Sequence, residues 1–223
     1  MLEAAPRPTI CCSHPAGTRP PSGSGTGSPS RTAIAWCCTR RRTATSWRTG
    51  RADHGAHSTG TRYRWDPALD LPALAGSLAG GHTVLVRRHP RVTGGLPVTG
   101  GPALRDVSGH PDTAELLLIA DVLITDYAGL MFDFAHTGRP MLFHTYDLEH
   151  YRDTVRGFCL DFETRAPGPL LVTTEEVAQA LRTTEAVAHR HADAYDSFRR
   201  DHCDLDDGGA AGRVADRLLR DGG

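Results

Sequence analysis

Two apolar, β-branched stretches of this chain each end in groups that could handle an anion. TVLVRR (83–88) runs into Arg87, Arg88 and His89. DVLITD (121–126) runs into Thr125, Asp126 and Tyr127, followed by Ala128 and Gly129. Ligands of open α/β sheets bind outside the carboxyl ends of the strands, so both runs are candidates for one edge. There the arginines would supply fixed positive charge, and His89 a ring that could neutralise or donate to a phosphate oxygen. A helix opening at Ala128 would turn unpaired N–H groups and the positive end of its dipole toward a phosphate. Gly129, having no Cβ, would let that phosphate approach the backbone. The combined reading is an anion site with a histidine and one or two arginines beside it. Plainer readings stand next to it: Asp126 as the N-cap of the following helix, and His89 as an ordinary loop histidine.

Other clusters carry less chemistry. His189 and His191 lie two apart on a helix and so face apart, and His144 and His150 lack a partner at a metal-binding spacing. The six cysteines stand as two adjacent pairs, Cys11–Cys12 and Cys37–Cys38, plus Cys159 and Cys203. That is not the C-x₂-C spacing of a zinc site. Neither a metal nor a cofactor is expected. The start of the chain has no basic region followed by an apolar core, so no secretory signal and no disulfide framework are expected either.

The elements that must position the two polar runs can be read from periodicity. LDLPALAGSLAG (69–80) spaces Leu71, Leu74 and Leu78 along a helix face, and glycines stop it. LRDVS (104–108) predicts a short strand. Asp112 and Glu115 form a capping-box pattern ahead of a helix over 112–120. The strand 121–126 is uniformly apolar, which suits a parallel sheet covered on both faces. AGLMFDFAHTG (128–138) predicts a helix ended by Gly138, packing Leu130, Met131 and Phe134 onto strands 121–125 and 140–144. RPMLFHT (139–145) predicts the next strand. Thr173 and Glu176 mark a second capping box, and the chain from 185 to 220 reads as further helices. Strands alternating with helices imply right-handed crossovers and an α/β layered fold.

Composition bounds the possibilities. At 223 residues the chain holds one large domain or little more. No apolar run approaches the roughly 18 residues of a membrane-spanning helix. The net charge of −1 argues against nucleic acid as a partner, because phosphate backbones are bound by surplus cations. Charge is unevenly spread: residues 1–60 hold eight arginines against two acids, Glu3 and Asp53, and the rest is acidic on balance. PAGTRPPSGSGTGSPSR and the stretch after Cys37 are aperiodic and poor in apolar residues, so residues 1–61 are expected to be disordered.

The stretch from Ala120 to Leu181 closely resembles the CDP-glycerol:poly(glycerophosphate) glycerophosphotransferase family, whose members polymerise teichoic acids in Gram-positive bacteria. The pieces that carry the resemblance are TDY before the helix, MFDFA within it, RPM, TYDLEHYRD, RGF and APGPL. Weaker similarity runs back through VLVRRHPRV (84–92) and forward to DDGGAAGRV (206–214), so residues 62–221 are the expected domain. The resemblance implies the C-terminal, nucleotide-binding domain of a GT-B enzyme: a single Rossmann-like α/β domain with a parallel sheet. It implies CDP-glycerol as donor, or CDP-ribitol as in close relatives, and a teichoic acid acceptor chain. It also implies peripheral association with the cytoplasmic face of the membrane. Carried over position by position, His89 matches the family's catalytic histidine near the pyrophosphate, and Arg87 the arginine two residues before it. Thr125, Asp126, Ala128 and Gly129 match the substrate-binding turn, where the family often has D-Y-S-S; both serine hydroxyls are missing here.

Nothing in residues 1–60 resembles the family's N-terminal domain, so the chain is expected to be a fragment whose activity needs that domain. A non-catalytic cytidine-nucleotide-binding module and a degenerate fragment are the alternatives. The codons of Trp36-Cys37-Cys38, read out of phase, give a forced Val and Leu and then Tyr or His. Thr39 through Arg42 then permit Ala-Pro-Thr, and the family's strand and loop here read VLYAPT. A frameshift is therefore a further expectation.

Overall fold

The computed structural model describes residues 31–37, 63–64, 68–78, 81–89, 92–93, 103–155, 157–158, 160–204 and 207–221. At its centre is a six-stranded, wholly parallel sheet. In chain order the strands are β1 (Arg31–Cys37), β2 (Tyr63–Arg64), β3 (His82–Arg88), β4 (Val92–Thr93), β5 (Leu104–Asp106), β6 (Val122–Thr125), β7 (Met141–His144) and β8 (Leu170–Leu171). The sheet order is β5-β3-β1-β6-β7-β8, while β2 and β4 pair with each other apart from it. This is the doubly wound order, in which the chain starts in the middle, builds outward to one side, and then returns to build the other.

The central position of β1 corrects the expected domain boundary. Residues 31–37 fall within the segment 1–61 expected to be disordered, yet β1 pairs with β3 along seven residues and with β6 through Ala33, Ile34 and Ala35. The physical reason is that Ala33, Ile34 and Ala35 are fully buried in the sheet. Three small or medium apolar residues suffice where helices cover both faces, although they give no visible period in a Gly/Ser/Thr-rich context. The Asp121 carboxylate fixes the strand's entry by accepting from the Thr32 N–H at 2.8 Å. The remainder of the 1–61 expectation, and the out-of-phase loop after Cys37, lie outside the described residues.

The nine helices among the described residues are α1 (Leu71–Ser77), α2 (Thr113–Ile119), α3 (Leu130–Ala135), α4 (Leu148–His150), α5 (Phe162–Arg165), α6 (Thr174–Arg182), α7 (Thr184–Arg190), α8 (Ala192–His202) and α9 (Ala210–Asp221). A π-helical turn, Tyr151–Val155, follows α4. Strand alternation sorts the core into two layers. Ala33, Val84, Ile124 and Leu142 meet α1 and α6 on one face. Ile34, Leu85, Leu123 and Phe143 meet α2, α3 and α8 on the other. Met131 and Phe134 of α3 lie in that second layer as expected, with Leu130 partly buried beside them. The helix stops at Ala135 with His136 as its C-cap, short of the expected Gly138, which turns the chain beyond it at φ +68°, the left-handed conformation glycine tolerates.

Capping followed sequence at one helix and departed from it at another. At α6 the box is complete: Thr173 Oγ1 accepts from the Glu176 N–H at 3.2 Å, and the Glu176 carboxylate accepts from the N–H groups of Val172 and Thr173. At α2 only half forms. Asp112 accepts from the Ala114 N–H at 2.7 Å, but Glu115 turns aside to His110, 2.8 Å away.

Candidate functional site

In a doubly wound sheet the crevice opens where the strand order reverses. Here that point lies between β1 and β6. Because all strands are parallel, the carboxyl ends of β3, β1 and β6 reach the same edge; in register, Cys37 pairs with Arg88 and Ala35 with Ile124. The fold therefore brings the two polar runs to one edge, with one strand between them. Two strand spacings separate β3 from β6, about 10 Å. His89 follows directly on β3 and is partly buried. The turn 126–129 follows directly on β6.

Thr125 is the last residue of β6 and is buried. Among the described residues its Oγ1 has no hydrogen-bond partner. A buried hydroxyl left this way costs about 1–3 kcal/mol, so it is a group a ligand could satisfy. Asp126 is not the cap of the next helix: the residue preceding α3 is Gly129, and no side chain caps that end. The first turn is closed instead by Met131 N–H to Ala128 C=O at 3.3 Å and Phe132 N–H to Gly129 C=O at 3.1 Å. Gly129 is exposed, and a Cβ built on it would meet no atom within 4 Å.

The two arginines have work inside the protein. Arg87 Nη1 donates to the carbonyls of His110 (2.6 Å) and Val107 (3.4 Å), across the β5–α2 connection. Arg88 donates through its backbone N–H and Nε to Ser108 Oγ, and its guanidinium faces Asp106. Asp106 is held below the usual carboxylate range: burial opposes this, and hydrogen bonds from Ser108 and Arg88 outweigh it. Together the pair fixes the 106–110 loop beside the end of β3.

Tyr127 was not singled out by sequence reasoning as a functional side chain. Its hydroxyl donates to Asp147 Oδ1 at 3.1 Å, and its ring lies against Tyr151, with centroids 4.3 Å apart, and near Phe158 and Phe162. Burial, then the neighbouring Asp147 carboxylate, pushes its phenol far above the ordinary tyrosine range. The hint in the sequence was an aromatic between Asp126 and Ala128, where a turn would ordinarily carry a small or polar residue. Its partner, 20 residues on, could not be found without the fold. No group of three or more His, Cys, Asp or Glu that could hold a metal occurs among the described residues. No helix among them is long and apolar enough to cross a membrane.

Comparison with known proteins gives these features a context. The family model described as CDP-Glycerol:Poly(glycerophosphate) glycerophosphotransferase matches residues 30–220. The teichoic acid poly(glycerol phosphate) polymerase of Bacillus spizizenii is 38% identical over 177 residues, 79% of this chain and 43% of the polymerase. The teichoic acid glycerol-phosphate transferase of Staphylococcus aureus is 32% identical, over 71% of this chain and 40% of its own length. The solved structure of the wall teichoic acid polymerase TagF superposes with a TM-score of 0.68 at 29% identity, covering 87% of this chain and 44% of that one. A variant of that polymerase was also solved after a soak with CDPG. The chain thus spans less than half the length of the relatives it matches.

Proposed function

The chain belongs to the CDP-glycerol:poly(glycerophosphate) glycerophosphotransferase family, and from that premise we propose that it is the donor-binding half of a transferase of teichoic acid synthesis. The observation that carries the reading is the convergence of His89 and the turn 125–129 on the switch point of a doubly wound sheet. A diphosphate is long enough to engage both sides of a gap of about 10 Å. In this reading CDP-glycerol lays its phosphates between His89 and the backbone of Ala128 and Gly129, and the buried Thr125 hydroxyl gains the partner it lacks. Arg87, bonded to the 107–110 loop, contributes positive potential at the same edge.

The reaction would run by attack of the acceptor's terminal glycerol hydroxyl on the β-phosphorus. A new P–O bond forms as the bond to the bridging oxygen breaks, and CMP leaves with the electron pair. Such transfers depend on positioning and on neutralising phosphate oxygens. His89 is assigned to a phosphate oxygen, either as cation or as proton donor. Acceptance of the hydroxyl proton is assigned to the family's N-terminal domain, as is binding of the acceptor chain. Peripheral association with the cytoplasmic face of the membrane belongs to the same proposal.

The polyol is taken to be glycerol. The glycerol phosphate polymerase of B. spizizenii is 38% identical, while that organism's poly(ribitol-phosphate) polymerase is 31% identical over 153 residues. Isothermal titration of the 223-residue chain tests the site. CDP-glycerol and CMP should bind, CMP more tightly than cytidine, and His89→Ala should weaken both nucleotides. Equal affinity for cytidine and CMP would remove the phosphate role from this turn. The proposal also includes the shifted reading of the codons for residues 36–42, which sequencing of the gene upstream of residue 62 tests.

A further inference from the structure

Tyr127 anchors the turn that follows β6 from one side. Its ring forms part of an aromatic stack in which Tyr127 contacts Tyr151, Phe158 and Phe162. Phe162 is rooted in the core by an edge contact with Phe143, the residue paired with Thr125 across β6 and β7. Tyr151 and Phe158 belong to a strap, described over residues 147–155 and 157–158, which contains α4 and the π-helical turn.

The strap has a defined shape. Gly157 closes it with φ +67° and an N–H bond to the Tyr151 carbonyl at 3.1 Å. A Cβ there would come within 3.3 Å of the Arg152 carbonyl. Asp147 stands at the N-cap of α4 but makes no side-chain capping bond. An aspartate at that position ordinarily accepts from the helix's own N–H groups. Here its carboxylate turns instead to the Tyr127 hydroxyl. Burial, then this carboxylate, pushes the phenol upward, which favours the protonated hydroxyl as the donor in this bond. A π-helical turn beside a ligand-binding edge is itself a recurrent mark of a functional segment.

We infer that Tyr127, through its bond to Asp147, is a positioning residue that sets the phosphate-binding turn 126–129 against the strap that carries Asp147, Tyr151 and Phe158. The inference rests on the donor-site reading above and adds to it an element remote from the phosphate in sequence. The strap never needs to touch the ligand. It fixes Tyr127, and Tyr127 fixes the backbone amides of the two residues that follow.

Titration of cytidine and CMP against the full chain and four variants tests this. The quantity read is the ratio of the two affinities, which isolates the phosphate contact from the base and sugar. Tyr127→Phe keeps the ring stack and loses only the hydroxyl, so the fold should survive; its thermal transition reports on that. The CMP preference should fall by ~5- to 10-fold in Tyr127→Phe and in Asp147→Ala. Asp147→Asn retains an oxygen acceptor and should keep the wild-type ratio. The Tyr127→Phe/Asp147→Ala double variant should be no worse than either single one, because both remove the same bond. An unchanged ratio in Tyr127→Phe, or losses that add in the double variant, would overturn the inference and leave the donor site standing. A wild-type chain that does not prefer CMP to cytidine would instead overturn both.

Discussion

Phe134 and Gly168 make opposite demands on the same sheet. Phe134 lies on the inner face of α3 and is fully buried against the second core layer. Truncation to alanine removes the ring and leaves a cavity, so Phe134→Ala should cost about 3–5 kcal/mol. A loss below about 1 kcal/mol in denaturant titration would mean the ring is not packed as described. Gly168, in the APGPL piece, has no room for a side chain. A Cβ there would lie 2.0 Å from the Met141 carbonyl oxygen, an atom of β7 that cannot swing aside. Gly168→Ala should therefore destabilise by about 1–3 kcal/mol through overpacking. A neutral result would show that β7 and the 166–169 turn can separate. Gly129 is the contrast, with φ −61° and open space around it. Gly129→Ser should be neutral for stability, and combined with Ala128→Ser it restores two hydroxyls to the proposed phosphate turn. CMP affinity in that double variant should rise, and calorimetry would detect the gain; a fall would argue that the phosphate already sits too close for a hydroxyl.

At the scale of elements, α6 is the helix whose start is most fully specified by its own residues. Thr173→Ala removes the acceptor for the Glu176 N–H and should cost about 1 kcal/mol. Glu176 itself is held below the ordinary carboxylate range, first by the Val172 N–H and then by that of Thr173. A depressed folded-state pKa contributes stability that is present above the unfolded value and is lost as pH falls through the folded one. Wild-type stability should thus include a component that declines on acidification below the ordinary glutamate range. In Glu176→Gln that component should disappear, so the two acid-unfolding curves converge at low pH. Parallel curves would assign the wild-type decline to other carboxylates. The α2 start differs in that Glu115 pairs with His110 and not with the N-cap backbone of its own helix.

At the scale of the molecule, β1 decides whether there is a sheet at all. It is the shared neighbour of β3 and β6, so its removal splits the remaining five strands into two groups. A chain beginning at residue 62 should lose its cooperative thermal transition, while one beginning at residue 28 should keep it. Cooperative unfolding of the shorter chain would show that β3 and β6 can close on each other. Catalysis belongs to the same scale. Orientation of two bound reactants is worth about 7–11 kcal/mol of barrier, and a chain spanning 40–44% of the relatives named above holds the proposed donor side. We therefore expect no release of CMP from CDP-glycerol with a glycerophosphate acceptor by residues 1–223. Fusion to an intact family N-terminal domain should restore turnover, and His89→Ala should abolish it in the fusion. Acceptor-dependent turnover by the unfused chain would contradict the fragment reading.

Strands β3, β6 and β7, the helix between β6 and β7, and the second capping box are all legible in the sequence. Each is written in a local signal: an apolar β-branched run, a helical period, or a Thr and Glu three residues apart. Family kinship was legible for a related reason, since TDY, MFDFA and APGPL are local strings. Three things were not. The place of β1 was hidden, because Ala33, Ile34 and Ala35 carry no period of their own and become a strand only through the partners on either side. The employment of Arg87 was hidden, because its carbonyl partners are 20 and 23 residues away. So was the bond from Tyr127 to Asp147, which two adjacent strands and the strap after β7 bring within reach. Local interactions are specified by neighbours in the chain. Pairing across a parallel sheet is specified by which strands come to lie side by side, and only the folded chain decides that.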